Sequence, residues 1–279
     1  ILMKAQNLYF AAVLSTLTAI QTQAQDSLQK LWETEAKLPV PESVLYNAKE
    51  KVLFVAQIDG KPAEKDGVGA IGKVGLDGKI INANWVSGLH APKGMAIYKN
   101  TLYVSDVTDI VEIDLKSGKI IKKHAVEGAK FLNDLTVDAK GNVYVSDSQT
   151  KRVNLLKNGV VSIYQENFAA PNGLLAVGTD LLVTDGGKLV KLSKEKQITT
   201  IAEGMDKSTD GIEQVKPGEY LVSSWVGVVY YVKSDGTVKE LLNTKEEKTN
   251  AADIGYDPVK KIVYVPTFVK NSVAAYQLK

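Results

Sequence analysis

Six short openings recur along the chain, and their residue types point to chemistry before any fold is assigned. They are ESVLY at Glu42, KGMAI at Lys93, NDLTV at Asn133, NGLLA at Asn172, DGIEQ at Asp210 and ADIGY at Ala252. Five of the six leading residues are polar or charged, and each leads into an apolar segment. If all six meet, carboxylate and amide oxygens crowd one point, where like charges repel. A bound divalent cation would offset that repulsion. A donor set of oxygens alone, with no thiol and no imidazole, suits a hard ion such as Ca²⁺, Mg²⁺ or Mn²⁺. A water-filled channel with satisfied polar groups is the alternative reading.

The elements that must position these residues are strands. The openings lie 51, 40, 39, 38 and 42 residues apart. Nine to eleven residues after each comes a second strand: LFVA from Leu53, LYVSD from Leu102, VYVSD from Val143, LLVTD from Leu181, YLVSS from Tyr220 and VYVPT from Val263. A period near 40 with β character is the signature of a propeller blade. Turn signals such as LDGK at Leu76, KNG at Lys157 and SDGT at Ser234 separate third strands from fourth. The predicted fold is therefore all-β: a six-bladed β-propeller with four antiparallel strands per blade. The sixth repeat supplies only three strands, so LQKLWETE (residues 28–35) is expected to pair in the last blade, close the ring and remove two free edges. With first strands innermost, the six openings converge on one face of a central channel. Gly94, Gly173 and Gly211, at the second position of three openings, are expected to let the backbone bend tightly there.

Composition narrows the partners. The chain has 279 residues, with 34 basic and 32 acidic side chains and a net charge of +2. That balance, without a long basic run, is no footprint for nucleic acid. Residues 1–24 read as a signal peptide. Lys4 gives a positive start, Leu8 to Ile20 is mostly apolar, and Thr22 and Ala24 offer small residues at a cleavage site. Thirteen residues are too few to span a bilayer as a helix; an uncleaved anchor is the competing reading. There is no cysteine, so neither a disulfide nor a lipid-modified cysteine is available. The mature chain, residues 25–279, is expected to be one domain in the periplasm or outside the cell, not inserted in a membrane.

Three of the repeats resemble a known family. LNDLTVDAKGNVYVSDS, PNGLLAVGTDLLVTD and TDGIEQVKPGEYLVSSW are similar, in order and spacing, to the Asn-Asp, Pro-Asn-Gly and Asp-Gly repeats of senescence marker protein (regucalcin), gluconolactonase and luciferin-regenerating enzyme. The resemblance spans nearly all of the chain after residue 24. It implies a divalent metal in the central channel, held by Glu42, Asn172 and Asp210, with Asn133 touching substrate. The implied ion is Ca²⁺ foremost, with Mg²⁺, Mn²⁺ or Zn²⁺ as alternatives. One departure is ESVLY, where the family usually has Glu-Gly-Pro followed by an apolar residue and Trp. The third repeat also resembles blades of NHL-type propellers, which often serve as binding platforms.

The expected activity is metal-assisted hydrolysis of a small lactone or related ester, with Asp210 as catalytic base. Asn133 and Lys93 are expected to hold substrate oxygens, and Trp225 to stack on the substrate. A non-catalytic secreted binding module with a structural metal is the alternative. Asp106, Asp147, Asp185 and Ser224 end second strands and read mainly as turn chemistry. Asp253 reads as a blade-to-blade hydrogen bonder. His90 falls in the loop entering the second blade, and His124 on an outer strand at the surface.

Overall fold

The computed structural model describes residues 27–279, which form six four-stranded antiparallel sheets. The expected signal peptide, residues 1–24, lies outside the described residues. The innermost strands are Pro41–Asn47, Pro92–Tyr98, Leu132–Val137, Pro171–Val177, Thr209–Lys216 and Gly255–Asp257. The second strands are Val52–Gln57, Thr101–Asp106, Val143–Asp147, Asp180–Asp185, Glu219–Ser224 and Ile262–Pro266. β-Branched and aromatic residues fill them, as expected of strands packed on both faces. The turns follow the sequence signals. Asn158 and Gly159, between Lys157 and Val160, both have positive φ (52° and 77°), as a two-residue hairpin turn of the primed type requires.

The core is a ring of six layers, one between each pair of adjacent blades. Phe54, Ile71, Leu102 and Val111 lie between the first and second blades, and Val153, Leu174, Val183 and Val190 between the third and fourth. The layer that closes the ring holds Leu38, Val44, Leu53, Val55, Tyr264 and Val273, from blades six and one. An N-terminal strand, Leu28–Glu33, completes the sixth blade by pairing antiparallel with Val273–Leu278. Trp32 fixes this strand across the seam. Its indole N–H donates to the carbonyl of Leu76 in blade one at 3.1 Å, and its ring lies 5.9 Å from that of Tyr264. Thr34 exchanges two hydrogen bonds with Val273, at 2.9 and 3.0 Å.

The ends of the second strands carry a repeated device. Asp106, Asp147 and Asp185 each turn a carboxylate back on the loop that enters their own blade. Asp106 accepts from the N–H groups of His90 and Ala91, Asp147 from those of Lys130 and Phe131, and Asp185 from those of Ala169 and Ala170. The turn reading of these residues therefore holds, and the turns they secure deliver the openings. The hydroxyls just before Asp106 and Asp185 reach the next blade instead. Thr184 accepts from Gly173 N–H at 2.7 Å and donates to the carbonyl of Asp210 in the next blade at 3.0 Å. Ser223 does the same between Gly211 N–H and the Ala252 carbonyl, at 2.9 and 2.7 Å, and Ser105 donates to the Asn133 carbonyl. These three hydroxyls thus bond across to the opening of the next blade, whereas Ser146 bonds only the Asp134 backbone of its own blade, at 3.1 and 3.2 Å.

This proximity explains the glycines differently from the sequence reading. Gly173 and Gly211 do not have the left-handed backbone of a tight bend. A Cβ on Gly173 would instead overlap the carbonyl oxygen of Asp210, and one on Gly211 would overlap the Asp253 carboxylate. The requirement is close approach of neighbouring inner strands, not bending. His124 also departs from expectation. It is buried, with Nε2 2.7 Å from a Glu112 carboxylate oxygen.

Two outcomes follow. Deleting residues 25–36 should lower the melting temperature by about 10 °C or more, because it uncovers the edge of Val273–Leu278 and removes Trp32 from the seam; an unchanged transition by calorimetry would contradict ring closure by this strand. Gly173→Ala should destabilise by about 1–3 kcal/mol, because overpacking here must displace backbone rather than a side-chain tip. Denaturant melts would read the difference directly.

Candidate functional site

The openings converge as their spacing requires. Glu42, Lys93, Asn133, Asn172 and Asp210 line one cavity of about 320 Å³, together with Trp225. All six residues singled out in the sequence therefore share one chamber at one end of the channel. Ala252 contributes no side-chain chemistry; its carbonyl accepts from Ser223, and its neighbour Asp253 ties blade six to blade one. Asp253 N–H donates to the Glu42 carbonyl at 2.9 Å, and Ser43 Oγ donates to the Asp253 carboxylate. The departure at ESVLY thus has a local reason: the serine hydroxyl holds the seam beside Glu42.

The floor is built from oxygens that lack partners. Asn172 Nδ2 donates to Asp210 Oδ1 at 3.0 Å, which turns its own Oδ1 toward no donor. Asn172 Oδ1 and Glu42 Oε2 are both buried and unbonded. An unpartnered buried acceptor costs about 1–3 kcal/mol, so two at one site are an arrangement awaiting a donor or a cation. Burial raises the pKa of Glu42 well above the usual carboxylate range; Asp253 and Asp134 add to the rise and Lys93 opposes it. Burial does the same to Asp210, reinforced by Glu42 and countered by the Asn172 hydrogen bond. A cation on this floor would reverse both shifts. Two carboxylates and one amide oxygen fit a hard divalent ion. Among the described residues no three His, Cys, Asp or Glu side chains gather as a metal site, so a cation on this floor would also have to use the amide oxygen of Asn172.

Lys93 is buried rather than solvated, at 1 % exposure. Its ammonium donates to the carbonyls of Pro62 at 2.9 Å and Ala91 at 3.0 Å, and lies 4.5 Å from the centre of the Phe131 ring. Burial pulls its pKa down to about 8, while Glu42 and Asp106 act the other way. Asn133 is anchored by its amide N–H, which donates to Ser148 Oγ at 3.4 Å.

Sequence reasoning missed the rest of the chamber: Ile58, Pro62, Phe131, Ser208 and Phe268. Three of them had a signal. The first interval between openings, 51 residues rather than about 40, contains the loop of residues 58–68 that brings in Ile58 and Pro62. Phe131 sits two residues before an opening, in the loop that Asp147 secures. Phe268 had none. It lies in a single 3-10 turn, Phe268–Lys270, with φ at 49°, a conformation strained for a bulky residue by about 1–3 kcal/mol.

Further along the inner strands, Asp134, Glu213 and Asp253 line a second cavity of about 180 Å³. Asp134 accepts from Leu174 N–H at 2.6 Å, a further bond between blades. Burial, and then Asp253, pushes the Glu213 carboxyl up to about 8. Burial pushes Asp253 up to about 7 against the pull of the Ser43 hydroxyl.

No protein-family model matches the chain, and no curated protein does. Solved structures match most of the chain. A gluconolactonase from Xanthomonas campestris superposes with a TM-score of 0.68 at 15% identity, covering 92% of this chain and 96% of that one. A streptogramin B lyase gives 0.67 at 12% identity over 91% of this chain and 98% of its own. A chain from a nidogen–laminin complex gives 0.64 at 17% identity over 78% and 85%. At these identities the likeness is one of fold.

The raised carboxyls make a pH prediction. Glu213 has an ordinary value near 4.5 and about 8 in the folded ring, so the folded state holds its proton more tightly than the unfolded chain. Its contribution to stability is complete below pH 4.5 and is lost as pH rises through 8. Melting temperature measured in chelator should therefore fall between about pH 5 and 8, and Glu213→Gln should fall less steeply. Equal slopes for the two proteins would contradict this account of the lower channel.

Proposed function

We propose that this chain is a metal-dependent hydrolase of a small lactone or related ester. One observation carries the reading: Glu42 Oε2 and Asn172 Oδ1 stand unpartnered and buried beside the Asp210 carboxylate, on the floor of a ligand-sized cavity. Glu42, Asn172 and Asp210 would hold the ion, Ca²⁺ foremost, with Mg²⁺, Mn²⁺ or Zn²⁺ as alternatives. When bound, the ion supplies Lewis acidity to the substrate carbonyl and acidifies a water.

The protein's own groups then divide the work. Asp210 accepts the proton of the attacking water, held in orientation by the Asn172 amide. Water oxygen bonds to the carbonyl carbon, the ring C–O bond breaks, and the leaving alkoxide takes back the proton held by Asp210 to give a hydroxy acid. Asn133 donates to substrate oxygens. Lys93, fixed by two carbonyls and still holding a third N–H, stabilises the developing oxyanion. The gluconolactonase fold likeness supports a small-molecule substrate. The apolar segment of residues 8–20 supports a periplasmic or secreted location for the mature protein.

The likeness to a chain from a nidogen–laminin complex favours a second reading, a non-catalytic secreted binding module with a structural metal. Turnover separates the two. Metal-stripped protein should hydrolyse a panel of aldonolactones and simple lactones only after a divalent ion is restored. Asp210→Ala should abolish turnover and weaken metal binding by at least about 100-fold. Undiminished activity in Asp210→Ala would remove it from this role, and tight metal binding with no turnover on any lactone would favour the binding module.

A further inference from the structure

The walls above the polar floor are apolar on three sides. Trp225 and Phe268 form an edge-to-face pair on blades five and six, with ring centres 5.5 Å apart and planes at 79°. Phe131 stands in the loop entering blade three, with the Lys93 ammonium against its ring. Ile58 and Pro62 come from the long loop of blade one. Ser208 alone adds a hydroxyl to these walls, and it is engaged with Ser224 at 2.9 Å. Trp225 nevertheless remains 40% exposed, so the pair leaves much of this large aromatic open to solvent.

These rings are held, not loose. Trp225 N–H donates to the Ser208 carbonyl at 2.8 Å, and its own carbonyl accepts from Asn250 Nδ2 at 2.8 Å. The turn carrying Phe268 is pinned at both ends: Thr267 Oγ1 donates to the Ser272 carbonyl at 2.8 Å, and Asn271 Oδ1 accepts from Val40 N–H at 3.0 Å. Val40 and Val107, in the same apolar cluster, share the positive φ of Phe268, so the backbone strain belongs to the cluster as a whole. The Phe268 ring packs with Ile58, Ala91 and Val107 and lines the chamber.

A polyhydroxylated sugar lactone suits such walls poorly. One ring can stack on a sugar face, but hydroxyls turned toward Ile58, Pro62, Phe131 and Phe268 would lose water and find no partner. We infer that the substrate is a lactone or ester bearing a short alkyl or aryl substituent, which lies between the Trp225–Phe268 pair and Phe131 while its ester group meets the floor. This rests on the hydrolase reading for the identity of the ester group, and on the apolar walls for the substituent.

The test uses two parallel series with the metal-loaded protein. Hydrolysis is measured on γ-butyrolactone, γ-hexalactone, γ-octalactone and glucono-δ-lactone, and binding of the corresponding γ-lactams, which resist hydrolysis, by calorimetry. Each added methylene should raise kcat/KM and lactam affinity about 3-fold until the chamber is filled, and glucono-δ-lactone should be the poorer substrate. Phe268→Gly removes the ring while relieving the backbone, so it should fold; in it and in Phe131→Ala the ratio of kcat/KM for γ-octalactone to that for γ-butyrolactone should fall several-fold. Hydrolysis with no chain-length gradient, or with glucono-δ-lactone preferred, would overturn the inference and leave the hydrolase reading standing. A lactam gradient with no hydrolysis would support the apolar site and sink the hydrolase reading. No binding and no hydrolysis across both series would overturn both.

Discussion

The close approach of neighbouring inner strands is the constraint on which the rest of this molecule depends. Six strands can bring their leading residues to one chamber only if their backbones nearly touch. Gly173 and Gly211 permit that contact, and the hydroxyls of Thr184 and Ser223 stitch it by bonding one opening's N–H and the next opening's carbonyl. The carboxylates of Asp106, Asp147 and Asp185 secure the loops that enter blades two, three and four. A Ser/Thr-Asp pair at a strand end thus serves two neighbours at once. Other seams use other bonds: Asp134 accepts from Leu174 N–H between blades three and four, and Ser43 donates to Asp253 between blades one and six.

The same crowding makes the chamber's chemistry. Packing carboxylates around a narrow channel strips them of water and places them near one another, so Glu42, Asp134 and Asp210 all favour their protonated forms. Such an arrangement costs stability unless a cation or bound ligand compensates, and such sites are often functional. The chamber is divided by height. Oxygens stand on the floor, where a cation and an ester group would meet. Rings and aliphatic groups stand at the walls, on loops whose length and backbone strain vary while the strands repeat. Floor and wall therefore answer to different parts of the sequence, one to the strand starts and one to the connections.

That division also explains what was legible in the sequence. The blade period, the strand alternation and the polar openings are periodic, and periodic signals survive in a single chain; Glu42, Asn133, Asn172 and Asp210 were found that way, and so was the closing strand at Leu28–Glu33. The loop of residues 58–68 was visible only as an unequal interval whose content had no reading. Phe268 was invisible, because its place depends on a left-handed backbone that no residue preference announces for phenylalanine. His124 misled because an outer strand still buries one position, here against Glu112. The glycines were noticed for the wrong reason: sequence suggests flexibility, whereas only the packed ring shows that there is no room for a Cβ.

The central claim is that Glu42, Asn172 and Asp210 form a cation site at the convergence of the blades. Calorimetric titration of Ca²⁺ into chelator-stripped protein, beside Glu42→Gln, tests it most directly. The substitution keeps the shape of the side chain and removes its charge. The account predicts binding of a single ion to the unaltered protein, with affinity at least about 10-fold lower in Glu42→Gln. No binding by the unaltered protein, or binding that Glu42→Gln leaves undiminished, would contradict it.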